Sequence, residues 1–184
     1  VVAAEGKAAH GSTPGSGHNA IVDIAEFLAE FGTTCPNPPH WVCMFVNEFI
    51  RENTSGRGLG IAANDPIMGS TTVNVGKLVM DMDSVYVKLD IRFPHGWTSD
   101  SILETIRDRI RDYDTRFTAG LAVSRHSAGF MPIHVSEDTD LVRALLRSYE
   151  EVYRDAGRPT SIAGTTYAKR LPNAVSFGPA LPGE

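Results

Sequence analysis

The residues with the most chemical reach in this sequence are one histidine, one arginine and one asparagine. His10 closes a stretch of small residues and is followed by Gly11-Ser12-Thr13-Pro14-Gly15-Ser16-Gly17, a loop by composition. A solvent-facing imidazole beside glycines suits a group that must reach a ligand, as hydrogen-bond donor to an oxyanion or as general base. The plainer reading is a loop histidine without a task. Arg92 projects from the polar side of an alternating strand, where a guanidinium costs packing and offers bidentate recognition of a carboxylate. Asn74 lies in the neighbouring strand, in phase with Thr72 and Gly76 and out of phase with Val73, Val75 and Val79. If those valines face a core, Asn74 and Arg92 share the open face and make a carboxylate clamp; the competing reading is a surface ion pair of Arg92 with Asp90 or Asp81.

Other candidates are weaker. His18, His40, His95, His126 and His134 show no HxxxH, HxD or HExxH spacing, so no complete metal site is legible. No serine sits in a G-x-S-x-G elbow. Gly164-Thr165-Thr166-Tyr167 is a turn rich in backbone donors and hydroxyls, either a substrate loop or a simple helix cap. Cys35 and Cys43 do not make a disulfide framework; they read as ordinary semi-buried thiols, with a bridge or a metal pair completed by His40 as the alternatives.

The elements that must position these groups follow from periodicity. Residues 1–9 read as a short strand, and residues 19–31 as an amphipathic helix with Ile21, Ile24, Phe27, Leu28 and Phe31 on one stripe, ended by Gly32. Residues 40–52 suggest a second helix, and Gly56-Arg57-Gly58-Leu59-Gly60 reads as a flexible connection, since a phosphate loop needs a Lys-Ser/Thr ending that is absent. Residues 71–80 and 84–93 are the clearest strands, joined by a hairpin-like Asp81-Met82-Asp83. Thr98 or Ser99 caps a helix over 100–112, and residues 120–127 read as another strand. The order strand, helix, strand, strand, helix, strand is a split β-α-β unit with both helices on one sheet face. Beyond Pro132 a helix over 139–156, whose Leu141, Leu145 and Val152 need a partner surface, leads into a tail with a short strand over 174–177.

Composition sets the outer bounds. With 17 basic and 22 acidic residues among 184, the formal charge is −5, which argues against a nucleic-acid surface. No apolar run approaches the roughly 20 residues that span a bilayer, and no leader is legible, so a soluble protein is expected. The chain starts without Met inside a strand-like stretch and stops at Gly183-Glu184 after a run of turn residues, which suggests a segment of something longer.

Three strings then resemble one known group. Gly6-Lys7-Ala8-Ala9-His10-Gly11-Ser12-Thr13-Pro14 with Gly17-His18-Asn19-Ala20-Ile21 looks like the lid-domain motif of the zinc aminoacylase, carboxypeptidase and dipeptidase superfamily. Leu89-Asp90-Ile91-Arg92-Phe93-Pro94 is similar to the arginine strand of that lid. The stretch from Thr166-Tyr167-Ala168 through Asn173-Ala174-Val175-Ser176-Phe177-Gly178-Pro179 to Pro182-Gly183-Glu184 is similar to a catalytic-domain segment of the Xaa-His dipeptidase (carnosinase-like) branch. Residues 33–69 match nothing in it, and Ala163, Thr165 and Lys169 depart from the dipeptidase pattern.

The resemblance implies an α/β (α+β) protein with a ferredoxin-like lid over residues 1–133, an insertion at about 33–69, and an incomplete piece of the catalytic domain over 134–184. It implies that His10 stabilises the oxyanion of a tetrahedral intermediate, acting in its own site or in a partner's. Asn74 and Arg92 would hold the substrate carboxylate, and Gly164 and Thr166 would line the pocket. It also implies two zinc ions, whose ligands and general base have no match here, a small peptide substrate, a cytoplasmic setting and a homodimer formed through the lid. On that reading the chain by itself hydrolyses nothing. The rival reading is a non-enzymatic amino-acid-binding or dimerisation module, since split β-α-β folds do both. An RNA-binding version is disfavoured by the acidic charge and the lack of stacking aromatics on the open face.

Overall fold

A computed structural model describes residues 2–31, 37–81, 84–127, 129–162 and 164–178. The chain forms two compact units, Val1–Gly129 and Phe130–Glu184. The first contains helices α1 (Ala20–Phe31) and α2 (Pro38–Phe49), the short strands β1 (Asn64–Asp65) and β2 (Gly69–Ser70), the long strands β3 (Thr72–Met80) and β4 (Val85–Arg92), and helix α3 (Ser99–Phe117). Helix α4 (Asp140–Tyr153) belongs to the second. The mixture of helices and small antiparallel sheets is an α/β fold. Among the described residues no helix is long and apolar enough to cross a membrane.

The β3–β4 hairpin is the organising element of the first unit. Its antiparallel register pairs Thr72 with Arg92, Val73 with Ile91, Asn74 with Asp90 and Val75 with Leu89. Val73 and Val75 are buried in the core, and Leu89 and Ile91 pack against it. Their neighbours Thr72, Asn74, Asp90 and Arg92 therefore share the other face. A bulge between Val75 and Lys77 lets Gly76 drop out of the pairing, after which Leu78 pairs with Val87 and both return to the core. Strict alternation puts Val79 on the core side; the extra residue moves it to the open face, opposite Tyr86, an exposed ring on a face expected to carry no aromatic. Asp81 closes the ladder by donating its N–H to the Ser84 carbonyl and accepting the Ser84 N–H on Oδ1. Met82 and Asp83 of the expected turn lie outside the described residues.

Helix α3 covers the core face with Ile102, Ile106, Ile110 and Tyr113, all buried. Each such side chain contributes about 1.5–3 kcal/mol on burial. The helix starts where a capping box forms: Thr98 accepts the Ser101 N–H, and the Ser101 hydroxyl accepts the Thr98 N–H. Helix α2 begins at Asn37, whose side chain accepts the His40 N–H, and Pro38 suits the first helical position. It buries Val42, Cys43, Phe45, Val46 and Phe49. Phe45 and Phe49 meet Tyr113 edge-on, with centroids 5.4 and 5.9 Å away. Cys43 is a free thiol, and burial pushes its pKa up to about 11. Neither a bridge nor a metal pair at this cysteine is formed among the described residues; Cys35, like Gly32, lies outside them.

Several expectations are corrected. Of the strand expected over 1–9, the described residues 2–9 form none: Lys7 makes a lone antiparallel bridge with His18, and the alanines and charged residues around it offer no apolar face to dock. Residues 120–127 carry no ladder either, although Leu121 and Val123 pack on the core between exposed neighbours. The segment is held by side chains, with the Leu121 N–H also donating to Asp114 Oδ1. Residues 174–177 form no strand. In the second unit Thr139 caps α4, yet Leu141, Val152 and Tyr153 stay exposed.

The glycine-rich stretch at 56–60 is a packed turn and not a flexible connection. Leu59 and Ile61 are fully buried, and the Ile61 N–H donates to the Gly56 carbonyl. At Gly58 an added Cβ would sit 2.1 Å from the Phe49 carbonyl oxygen, so the backbone end of α2 occupies the space that a side chain needs. Gly58→Ala is expected to lower the unfolding free energy by about 1–3 kcal/mol in urea melts; an unchanged midpoint would remove this close approach.

Candidate functional site

The site is assembled from the open face of the hairpin and the loop after Lys7. The Lys7–His18 bridge closes that loop at its base, with both N–H groups donating to the opposite carbonyl at 2.9 Å. Inside it the His10 carbonyl accepts the Thr13 N–H, and Pro14–Ser16 makes a single 3₁₀ turn. Gly11 then lies against β4: a Cβ added there would be 2.6 Å from Asp90 Oδ2 and 3.8 Å from Arg92 Nη2. The Thr72 hydroxyl reaches the Gly11 carbonyl at 3.5 Å. Only a residue without a side chain lets the loop come this close to the carboxylate.

The His10 side chain is exposed. Its Nδ1 lies 2.6 Å from the Ser12 hydroxyl and 3.3 Å from the Ser12 N–H. A backbone N–H can only donate, so the neutral ring accepts at Nδ1 and carries its proton on Nε2. The ring thus presents an N–H donor away from its own loop.

Arg92 grips Asp90 through two bonds, Nε to Oδ1 and Nη2 to Oδ2, both 3.0 Å. Of the alternatives left by the sequence, the Asp90 ion pair is present, and it coexists with a shared face for Asn74 and Arg92. Asn74 stands directly opposite Asp90, so Arg92 is its diagonal neighbour, about 7–8 Å away by ladder geometry. Further along, Lys77 faces Lys88, and Lys88 Nζ lies 2.9 Å from His126 Nε2. The face is cationic around one carboxylate.

Asn19, just before α1, is a neighbour of the candidate site to which hydrophobic patterning assigns no role. Its Nδ2 donates to Asn74 Oδ1 at 3.1 Å and to the Val75 carbonyl at 2.8 Å, while its Oδ1 accepts the Ile21 N–H at 3.1 Å. The signal available in sequence was an asparagine at a helix start, which reads only as a cap. A groove of about 280 Å³ opens beside it, lined by His18, Asn19, Asp23, Arg51, Val73 and Asn74 among others.

His10, Asn74 and Arg92 therefore belong to one unit and one side of the hairpin. Gly164 and Thr166 belong to the other unit. There Thr166 precedes a 3₁₀ turn, Tyr167–Arg170, without a side-chain capping bond. Among the described residues no three His, Cys, Asp or Glu side chains converge to hold a metal ion, so the zinc pair implied by the resemblance does not fit the residues present.

Comparison with known proteins adds an independent line. Residues 1–117 match the family model described as a peptidase dimerisation domain. Two Staphylococcus aureus proteins, from strains USA300 and MRSA252, both named "Putative dipeptidase", are each 26% identical over 179 residues. The match covers 97% of this chain and 36% of each relative.

The approach of Gly11 to Asp90 is testable by a double-mutant cycle. Gly11→Ala should cost about 1 kcal/mol more in the native background than in Asp90→Ala, where the obstructing carboxylate is gone. Additive losses in chemical denaturation would mean that the loop does not lie on Asp90.

Proposed function

Because the chain belongs to the peptidase dimerisation domain family, we propose that it is the dimerising and substrate-gripping part of a cytoplasmic, zinc-dependent dipeptidase acting on dipeptides or N-acyl amino acids. The family places it with peptidases. The observation that carries the finer reading is the joint placement of Asn74 and Arg92 on the open face, with the His10–Gly11 turn against Asp90.

Each residue has a role on this reading. The Arg92 guanidinium, oriented by its Asp90 fork, and the Asn74 amide hold the substrate's terminal carboxylate. His10 donates from Nε2 to the oxyanion that develops when the scissile carbonyl is attacked. Gly164 and Thr166 keep the role that the resemblance implies, lining a substrate pocket. A donor on a movable cover completes the oxyanion site only when the cover closes, which couples water exclusion to catalysis. The zinc ions, which would activate the attacking water, are assigned to residues outside this chain. A homodimer through the first unit follows from the same family assignment.

The rival, a binding or dimerisation module without catalysis, draws support from the family's name. Kinetics on the longer dipeptidase carrying this chain separate the two. His10→Ala is expected to lower kcat by about 10²–10³-fold with little change in KM. Arg92→Ala is expected to raise KM about 10- to 100-fold, the worth of a charge-assisted bond to carboxylate. Turnover that persists in His10→Ala would remove His10 from the mechanism, and absence of any chelator-sensitive hydrolysis would favour the module.

A further inference from the structure

We propose that Asn19 is a positioning residue that fixes which edge of the Asn74 amide faces a ligand, an inference that rests on the carboxylate-clamp reading above. An asparagine side chain presents a carbonyl acceptor on one edge and two N–H donors on the other. The wrong edge turned to a carboxylate would repel it. What sets the orientation of Asn74 is therefore a determinant of specificity.

The orientation is forced through a chain of bonds that ends on the backbone. The Ile21 N–H can only donate, so the Asn19 atom facing it, at 3.1 Å, is Oδ1. The Val75 carbonyl can only accept, so the Asn19 atom facing it, at 2.8 Å, is Nδ2. Two main-chain groups of opposite polarity thus lock the Asn19 amide in one sense. Its second N–H meets Asn74 at 3.1 Å, and the atom that receives it must be Oδ1. Asn74 is left with Nδ2 turned away from Asn19, and among the described residues nothing accepts from it. Two donors of different kinds, an amide N–H and the Arg92 guanidinium, then stand on one face of the hairpin. The pair is matched to a group with two acceptor oxygens.

Asn19 makes the same point through its place in the chain. It bridges the start of α1 to the side of β3 facing away from β4, where the Val73 N–H is likewise taken up by the Thr54 carbonyl. Residue 19 thus couples the His10 loop, which ends at His18, to the strand that bears Asn74.

Asn19→Asp tests this when read beside the neutral Asn19→Ser, because a carboxylate also sets an acceptor against the Val75 carbonyl and adds a charge near the clamp. Aspartate keeps the acceptor for the Ile21 N–H and is favoured at a helix start, so α1 retains its cap. It cannot donate, and facing Asn74 it draws Nδ2 toward itself and turns Oδ1 outward. The first readout is side-chain amide NMR on the 184-residue chain. The Asn74 δ-NH₂ pair is expected to exchange rapidly with water in the native protein and to shift downfield and become protected in Asn19→Asp. Unchanged Asn74 resonances would overturn the inference.

The second readout is the ratio of kcat/KM for Ala-Ala over Ala-Ala-NH₂ in the longer dipeptidase. A loss of stability lowers both values together, whereas a flipped amide lowers the ratio. The ratio is expected to fall at least tenfold in Asn19→Asp and in Asn74→Ala. Collapse in Asn74→Ala with an intact ratio in Asn19→Asp overturns the role of Asn19 alone. An intact ratio in both overturns the clamp itself, and this inference with it. Asn19→Ser, which can still accept from Ile21 and is too short to reach Asn74, serves as the second variant and is expected to give an intermediate loss.

Discussion

The structure of the site depends on the register of one hairpin. With Val73 opposite Ile91 and Val75 opposite Leu89, every second residue of the paired segment is committed to the core, and Thr72, Asn74, Asp90 and Arg92 are committed to the other face. A slip of one residue would bury the guanidinium and expose the valines. The apolar set thus does more than stabilise the hairpin: it selects which polar residues meet. Burial of Ile102, Ile106, Ile110 and Tyr113 from α3 against the same face makes that selection steep, because any alternative register forfeits contacts along a whole helix.

The bulge at Gly76 refines this constraint. Without it the pattern Val75, Lys77, Val79 would send a lysine toward the core; with it Leu78 takes the inward position and Lys77 joins Lys88 on the open face. The presence of Lys77 beside Lys88 and Arg92 on that face is thus a consequence of one unpaired glycine. Asp90 offsets part of it by holding Arg92 in a fork, which fixes a side chain with many rotamers in one orientation before a ligand arrives. Preorganisation of this kind lowers the entropic cost of binding.

Much of this was legible in sequence, for identifiable reasons. The alternation in residues 84–93 and the four-residue spacing of Ile102, Ile106 and Ile110 are one-dimensional signals of one-sided burial, and each produced an element near its expected place. The shared face of Asn74 and Arg92 follows from the same alternation up to the bulge. What the sequence hid were arrangements that depend on distant partners. The turn at 56–60 looks like loose glycine-rich chain because the reason for Gly58, the Phe49 carbonyl, lies on another element. The outer segments at 1–9 and 120–127 have strand-like letters, yet a strand exists only where a ladder partner does, and theirs is limited to one bridge or to side-chain packing. Asn19 read only as the first residue of a helix because two of its bonds cross 55 and 56 residues of sequence.

The central proposal, that Asn74 and Arg92 jointly bind a terminal carboxylate, is tested most directly by a crystal structure of the proposed longer peptidase that carries this chain, with an uncleaved dipeptide bound. The account predicts the two carboxylate oxygens within about 3 Å of an Arg92 guanidinium nitrogen and of Asn74 Nδ2. A peptide whose carboxylate is held elsewhere, out of reach of Arg92 and with the Asn74 amide pointing away from the ligand, would contradict it.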